Sequence, residues 1–199
     1  MDKSILKSSI ILIGPMHVGM DMVASALSQK TGMDVVNVNK LRKVFYPKFG
    51  YNIEAANRIR QSKGIEAWYE YQRPYEAKLV EYVLTTFLTR PSIVTFGAGF
   101  SVYKDKELFA VVQKAMQPYK NVINLELPPN YKGYNTSAQS EINKNFIHND
   151  CNYILSKFDV TVDVVDADFR NRDYAFSEYK FENLINNIIT ISGNKVRSK

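Results

Sequence analysis

The stretch IILIGPMHVGMDMVASAL, residues 10–27, decides the fold. Four apolar, mostly β-branched residues lead into Gly14, and Gly19 follows five positions later at the start of a helical pattern. A buried strand, a glycine-bounded turn and a helix in this order are typical of phosphate-binding loops, whose backbone N–H groups face an anion. We therefore predict a cofactor-binding loop formed by Gly14, Pro15, Met16, His17, Val18, Gly19, Met20 and Asp21.

The two positions after the second glycine depart from that pattern. A phosphate-binding loop has lysine there and then serine or threonine, whereas this chain has Met20 and Asp21. A carboxylate about 4 Å from a phosphate charge is repelled by about 4 kcal/mol at an effective dielectric of about 20. A divalent metal ion between the two would remove the conflict, and so would Asp21 if it satisfied the end of its own helix. Both arrangements stay open, and we expect weakened or lost nucleotide chemistry.

The rest of the chain alternates apolar strands with helices. Strands are predicted at 9–13, 33–39, 92–96, 121–127 and 158–165, and helices at 19–29, 53–61, 65–88, 105–116 and 179–191. We expect Pro74 to divide the helix over 65–88, because proline removes a donor and restricts the preceding residue. The order predicts a doubly wound, five-stranded parallel sheet with helices on both faces and ligands at the carboxyl ends of its strands.

Composition narrows the class of protein. The net charge of +6 comes from scattered basic residues without a long run, so nucleic acid is not an expected partner. The apolar runs are shorter than the roughly 18 residues of a membrane span, and no membrane association is predicted. The single cysteine, Cys151, cannot form an internal disulfide and suits the cytoplasm. No His, Cys, Asp or Glu set has zinc-ligand spacing, so no metal ligands are assigned.

Several segments together resemble the shikimate-kinase-type branch of the P-loop small-molecule kinases. IILIGPMHVGMDMVASALSQKTGMDVVNVN is similar to the first strand, Walker A loop, helix and second strand of that family. IVTFGAGFSVYKD resembles its glycine-rich substrate loop, and FDVTVDVV resembles its last strand. The resemblance covers most of the chain and implies one P-loop kinase-like domain over 1–199, with a helical substrate-covering subdomain at about 40–90 and a lid-like region at about 130–150. It also implies ATP and Mg²⁺ as cofactors and a small-molecule ligand.

The departures from the family fall on residues that carry chemistry. The two aspartates that end the family's second strand correspond to Asn37 and Asn39, and an asparagine cannot act as a general base. The arginine of the family's FR pair, which holds the shikimate carboxylate, corresponds to Trp68–Tyr69 in the sequence comparison. A second such arginine would fall near His148 or Asn149, and the nearest basic residues to a lid arginine are Lys132 and Lys144.

The predicted substrate-binding residues come from the strand ends and the helical subdomain: Asn37, Asn39, Arg58, Tyr69, Arg73, Gly97, Ala98 and Gly99. No residue is assigned as catalytic. Three functions remain open. The first is a pseudokinase that binds a ligand or partner in the former cleft. The second is an atypical ATP-dependent small-molecule kinase that takes its positive charge from Lys40, Arg42 or a subdomain arginine. The third is an interaction protein with a vestigial cleft, for which a homodimer is one form.

Overall fold

The computed structural model describes residues 3–14, 18–97, 99–101, 103–126, 161–163 and 178–195. The strands are β1 (Ile10–Ile13), β2 (Asp34–Asn37), β3 (Ser92–Thr95), β4 (Asn121–Glu126) and β5 (Thr161–Asp163). The helices are α1 (Lys3–Ser8), α2 (Met20–Thr31), α3 (Val38–Lys48), α4 (Ile53–Tyr82), α5 (Lys106–Met116) and α6 (Glu178–Ser192), and a π-helical segment (Val83–Phe87) extends α4. None of the helices in these ranges combines the length and apolar character that a bilayer crossing requires.

The five strands form one parallel sheet in the order β2-β3-β1-β4-β5. In the register of this sheet Ile11 of β1 lies between Val94 of β3 and Val122 of β4. The predicted five-stranded parallel sheet is therefore confirmed. Because all strands run in one direction, the turns after β1, β2 and β3 meet at the same edge of the sheet.

Alternate side chains of the central strands build two separate apolar cores. Ile10 and Leu12 of β1 point to one face, where they pack with α2 and α6. Ile11 and Ile13 point to the other face, where they pack with residues of α3, α4 and α5. Continuous burial of β1 on both faces explains its unbroken apolar sequence and confirms that helices cover both sides of the sheet.

Helix α4 differs from its predicted form. The prediction of a break at Pro74 is wrong, because α4 continues through this residue. Pro74 is exposed, and the residues around it on the inner face, including Ala77 and Leu79, are fully packed in the core. Core packing thus outweighs the loss of one backbone hydrogen bond. The interruption lies at Gly64, where φ is 86° and ψ is −177°, in the gap between the helices predicted at 53–61 and 65–88.

Two further boundaries differ from the predictions. β2 ends at Asn37 and α3 begins at Val38, because the Asn37 side chain accepts a hydrogen bond from Lys40 N and caps the helix. Before the strand predicted at 9–13, residues 3–8 form α1, a helix that the sequence did not predict. The proposed lid-like region at 130–150 lies outside the described residues, and so do Lys132, Lys144, His148, Asn149 and Cys151.

Candidate functional site

The turn after β1 joins the sheet to α2, as the sequence predicts. Gly14 is buried against β4, and a Cβ atom on it would lie 2.5 Å from the carbonyl oxygen of Leu125. Gly19 has φ 79° and is the N-cap residue of α2, a conformation that favours glycine. Val18 is fully buried. Pro15, Met16 and His17 lie outside the described residues.

Met20 and Asp21, the two residues that follow Gly19, have different surroundings. Met20 is partly buried and packs against the apolar core beneath α2. Asp21 is exposed in the first turn of α2, and its Oδ1 accepts a hydrogen bond from Asn37 Nδ2 at 2.9 Å. The described partner of Asp21 therefore belongs to the end of β2. Since Asn37 also caps α3 through its Oδ1, this pair connects the start of α2 with the start of α3.

An open groove of about 570 Å³ lies beside the Asp21–Asn37 pair, between α2, β2 and α3. Lys40 lines this groove together with Asp21. The groove is lined by Asp21, Ser25, Ser28, Gln29, Val35, Val36, Asn37, Lys40, Leu41 and Phe87. Lys40 is thus placed near the carboxylate that departs from the phosphate-loop pattern.

A buried ionic cluster lies where α4 meets the turn after β3. Arg73 Nη1 donates to Glu76 Oε2 at 2.8 Å and to the Gly99 carbonyl oxygen at 2.6 Å. Arg42 Nη2 of α3 donates to the other oxygen of Glu76, Oε1, at 2.5 Å. The side chains of Arg73 and Glu76 are 5% and 2% exposed, so this pair is isolated from solvent, whereas Arg42 is 29% exposed. We name Arg42, Glu76 and Arg73 the ionic triad.

The glycine turn after β3 is fitted closely to the triad. A Cβ atom on Gly99 would lie 2.9 Å from Arg73 Nη1 and 3.1 Å from Glu76 Oε1. A Cβ atom on Gly97 would meet Phe100 at 3.3 Å and the Asn39 Cβ at 3.5 Å. The turn therefore brings its backbone against both Asn39 and the triad, and Gly99 has no room for a side chain unless Arg73 moves.

Aromatic residues surround the triad and stay neutral. Burial raises the pKa of Tyr103, and the charge of Glu76 raises it further, against the opposing effect of Arg73. Burial likewise raises the pKa of Tyr46, with Glu76 again adding to the effect and Arg42 opposing it. Both phenols therefore keep their protons at neutral pH. Tyr103 Oη donates to the Phe100 carbonyl oxygen at 3.2 Å and helps to fix the turn.

The structure brings together some of the predicted substrate-binding residues. Arg73, Gly97, Gly99 and Asn39 meet at the turn after β3, while Asn37 lies at the adjacent strand end. Arg58 is exposed on α4 before the Gly64 kink, and Ala98 lies outside the described residues. Tyr69 packs on Trp68 with ring centroids 5.0 Å apart. The buried arginine beside the turn after β3 is Arg73, four positions after the Tyr69 to which the family's arginine was matched.

Sequence reasoning missed Glu76 as a member of this site and placed Arg42 elsewhere. The spacing of Arg73 and Glu76, three residues apart on a helix, is a signal for an ion pair that could have been read from the sequence. Arg42 was considered as a source of charge for phosphate, but its described contacts are with Glu76 and with the rings of Phe100 and Tyr46. Its partner Glu76 is 34 residues away, and no local pattern connects them.

Comparison with solved structures shows that the chain has the fold of shikimate kinase-like P-loop kinases. Shikimate kinase from Aquifex aeolicus has a TM-score of 0.54 and 18% identity, covering 92% of this chain and 94% of that one. Shikimate kinase from Acinetobacter baumannii, solved in complex with shikimate, has a TM-score of 0.54 and 12% identity, and the match covers 98% of this chain and 100% of that one. A gluconokinase from Sinorhizobium meliloti has a TM-score of 0.52 and 12% identity, and the match covers 94% of this chain and 93% of that one.

These likenesses confirm the predicted fold and, at such low identity, concern the fold alone. No protein family defined by sequence matches the chain, and no curated protein matches it.

Proposed function

We propose that this chain is a degenerate member of the shikimate kinase-like P-loop group, which binds a small molecule at the carboxyl ends of its strands without efficient phosphoryl transfer. The observation that carries the proposal is the hydrogen bond between Asp21 and Asn37. It places a carboxylate, paired with a neutral amide, in the first turn of the helix that follows the glycine loop. Phosphoryl transfer depends on positive charge around the phosphates, and this pair adds negative charge instead.

A nucleoside triphosphate with Mg²⁺ does not fit the described residues. The Met20 side chain packs toward the apolar core and carries no charge. Both polar atoms of the Asn37 amide have partners, since Nδ2 donates to Asp21 and Oδ1 accepts from Lys40 N. No catalytic step through nucleotide or metal is therefore assigned to this chain.

The substrate side of the cleft supports ligand binding. Arg73 on this side is buried, and Glu76 and the Gly99 carbonyl oxygen fix its guanidinium. It lies against Gly99, where a side chain has no space unless Arg73 moves. Such positioning of a charged group inside the protein costs free energy. The cluster lies at the carboxyl ends of the strands, where ligands bind in open parallel sheets. We therefore propose that the side of the cleft with Arg73 and Gly99 is retained for binding, whereas the side with Met20 and Asp21 is altered.

Calorimetric titration with ATP, ADP and GTP, with and without Mg²⁺, tests the proposal together with an assay of ATP consumption. We expect weak or no nucleotide binding and no appreciable turnover in the unmodified protein. The variant D21N keeps the size of the side chain and removes its charge. If Asp21 faces the phosphates, nucleotide affinity should rise about fivefold for a water-like dielectric, and up to about a thousandfold at a dielectric of about 20.

The matched control is D34N, which removes an equally exposed carboxylate from the opposite end of β2. This variant should leave nucleotide affinity unchanged. The double variant M20K/D21S restores the family's residue types and should bind more tightly than D21N. Rapid ATP consumption by the unmodified protein with a small hydroxylated acid would overturn the proposal and favour the atypical kinase, in which Lys40 beside Asp21 supplies the charge.

A further inference from the structure

Strand β2 lies at one end of the sheet, and its outer edge is open as far as the described residues extend. In the strand order β2-β3-β1-β4-β5, β2 pairs with β3 alone. A strand in this position presents unpaired backbone N–H and C=O groups, which proteins usually protect with charged side chains, proline or a covering segment. The single charge of β2 is Asp34 at its first position, and its centre consists of Val35 and Val36. The middle of this edge therefore carries no such protection among the described residues.

The groove described above crosses this edge. Val35 and Val36 both line it, although neighbouring residues of a strand point to opposite faces of the sheet. Val35 is in register with Ile93, which belongs to the core beneath α2, whereas Val36 packs against the other core. Residues of α2 line the groove on one side, and residues of α3 line it on the other. The groove thus extends over the free edge of β2 from one face of the sheet to the other.

Exposed apolar side chains gather around the same edge. Six large apolar side chains are exposed in the described part of the chain, and four of them lie on or beside β2. Val35 and Phe87, which are 40% and 37% exposed, line the groove itself. Met22 lies on α2 and Val44 on α3, each one helical turn from a residue that lines the groove. We name Met22, Val35, Val44 and Phe87 the edge patch, and such a collection is typical of a surface that a protein partner covers.

The charges at the two ends of β2 indicate which partner fits. Asp34 and Arg90 form an ion pair at the amino end, while Asp21 and Lys40 line the groove at the carboxyl end. Each end therefore carries one acid and one base. When a second copy approaches antiparallel across a two-fold axis, the amino end of each β2 meets the carboxyl end of the other. Asp34 then faces Lys40 of the second copy, and Arg90 faces its Asp21. The surface is thus complementary in charge to itself, as an interface between identical chains requires.

We propose that the free edge of β2 is the interface of a homodimer, in which the β2 strands of two copies pair antiparallel and continue one sheet through both chains. In this dimer the unpaired backbone groups on the outer edge of β2 gain partners, and the edge patch of each chain packs against that of the other. The inference goes beyond the proposed function, because it concerns the edge of the sheet and holds whether or not the cleft binds a small molecule.

Sedimentation equilibrium of the full chain at several protein concentrations tests this proposal. We expect reversible association to twice the 22.8 kDa of one chain, with a dissociation constant of about 1–100 μM because β2 has only four residues. V35K places a charge at the centre of the edge and should weaken association at least about 100-fold. The matched control is I191K, because Ile191 is 49% exposed on α6, which packs on α2 and β4. This control should associate as the unmodified chain does.

An exchange of charges tests the antiparallel orientation. D34K and K40D each place like charges opposite one another at both ends of the symmetric interface, so each should weaken association at least about tenfold. The double variant D34K/K40D restores opposite charges at both ends and should associate within about threefold of the unmodified protein. If V35K does not fold, as judged by circular dichroism, V44K replaces it, since Val44 is 52% exposed on the surface of α3.

Each result decides for or against the dimer. A monomer at about 500 μM protein would overturn the proposal and assign the open edge to another segment of the chain or to a different protein. A dimer that V35K weakens no more than I191K does would place the interface on another surface and would also overturn it. A double variant D34K/K40D that associates as weakly as the single variants would contradict the antiparallel pairing. Because none of these measurements involves a ligand, every outcome leaves the proposed function unaffected.

Discussion

Replacing Glu76 by glutamine should reveal how strongly the fold depends on the ionic triad. In E76Q the carboxylate that Arg42 and Arg73 share becomes a neutral amide. Loss of the Arg42–Glu76 contact should lower the free energy of unfolding only slightly, because the Arg42 side chain is 29% exposed and can turn to solvent. Arg73 is 5% exposed and stays buried, with the Gly99 carbonyl oxygen as an acceptor and the Tyr103 ring 5.9 Å away.

The cost follows from the buried half of the triad. Removing one partner of a buried ion pair lowers the free energy of unfolding by about 3–5 kcal/mol. Because glutamine keeps an amide oxygen that can accept a hydrogen bond, we expect E76Q to lose about 3 kcal/mol, near the lower end of this range. With about 2.1 cal/mol/K of unfolding entropy per residue, the 199 residues give about 0.4 kcal/mol/K. The midpoint of thermal unfolding should therefore fall by about 7 °C.

Urea and thermal unfolding followed by circular dichroism measure this loss. E81Q removes an exposed carboxylate from the same helix and should change the free energy of unfolding by less than about 0.5 kcal/mol. The double variant R73M/E76L replaces the buried pair by apolar side chains and should recover most of the stability. A loss below about 1 kcal/mol in E76Q, or no recovery in the double variant, would refute the view that a buried charge governs this region.

Three further predictions concern the glycine turn, the tyrosines and the helix cap. G99A should lower the free energy of unfolding more than G97A does, because the added Cβ at Gly99 would lie 2.9 Å from Arg73 Nη1, whereas the nearest atom to one at Gly97 is a Phe100 ring carbon at 3.3 Å. Equal losses in urea unfolding would contradict this. The free energy of unfolding should fall as the pH rises from about 10 toward 12, because burial raises the pKa of Tyr119 to about 12 and the unfolded chain loses this proton first. Urea unfolding of Y119F should show a shallower fall with pH, and a fall as steep as in the unmodified protein would contradict this role of Tyr119. N37A and D105A should each lose about 1 kcal/mol of unfolding free energy, since Asn37 and Asp105 both cap helices, but only N37A should change nucleotide affinity, because only Asn37 contacts Asp21.

Much of the fold could be predicted from local pattern. The strand, glycine turn and helix at 10–27 were placed correctly, and Asp105 was correctly taken as the start of its helical segment. Pro74 was misjudged because its ring is exposed, while the helix around it is held by core contacts that no local rule contains. The kink was better indicated by Gly64, whose backbone conformation favours glycine.

The candidate site was predicted less completely. The sequence placed Asn39, Gly97 and Gly99 at one edge of the sheet, because parallel strands end together. Arg73 was predicted as a ligand contact from its place on the helical segment beside the cleft. It did not connect Arg42 with Glu76, which lie 34 residues apart, or Asp21 with Asn37, which lie 16 apart. The physical reason is that such contacts depend on how α3 and α4 pack on the sheet, and this packing depends on the sum of many apolar contacts.

By itself, the sequence determined that this chain forms a parallel sheet with a glycine loop at its centre, because hydrophobic periodicity and glycine positions act over a few residues. It also shows directly that Met20 and Asp21 follow Gly19, where the phosphate-binding pattern has lysine and then serine or threonine. Only the tertiary structure decided where these two side chains lie. It paired Asp21 with Asn37 and buried Glu76 between two arginines, because hydrogen bonds and ion pairs form between side chains that folding brings within about 3 Å, whatever their separation along the chain.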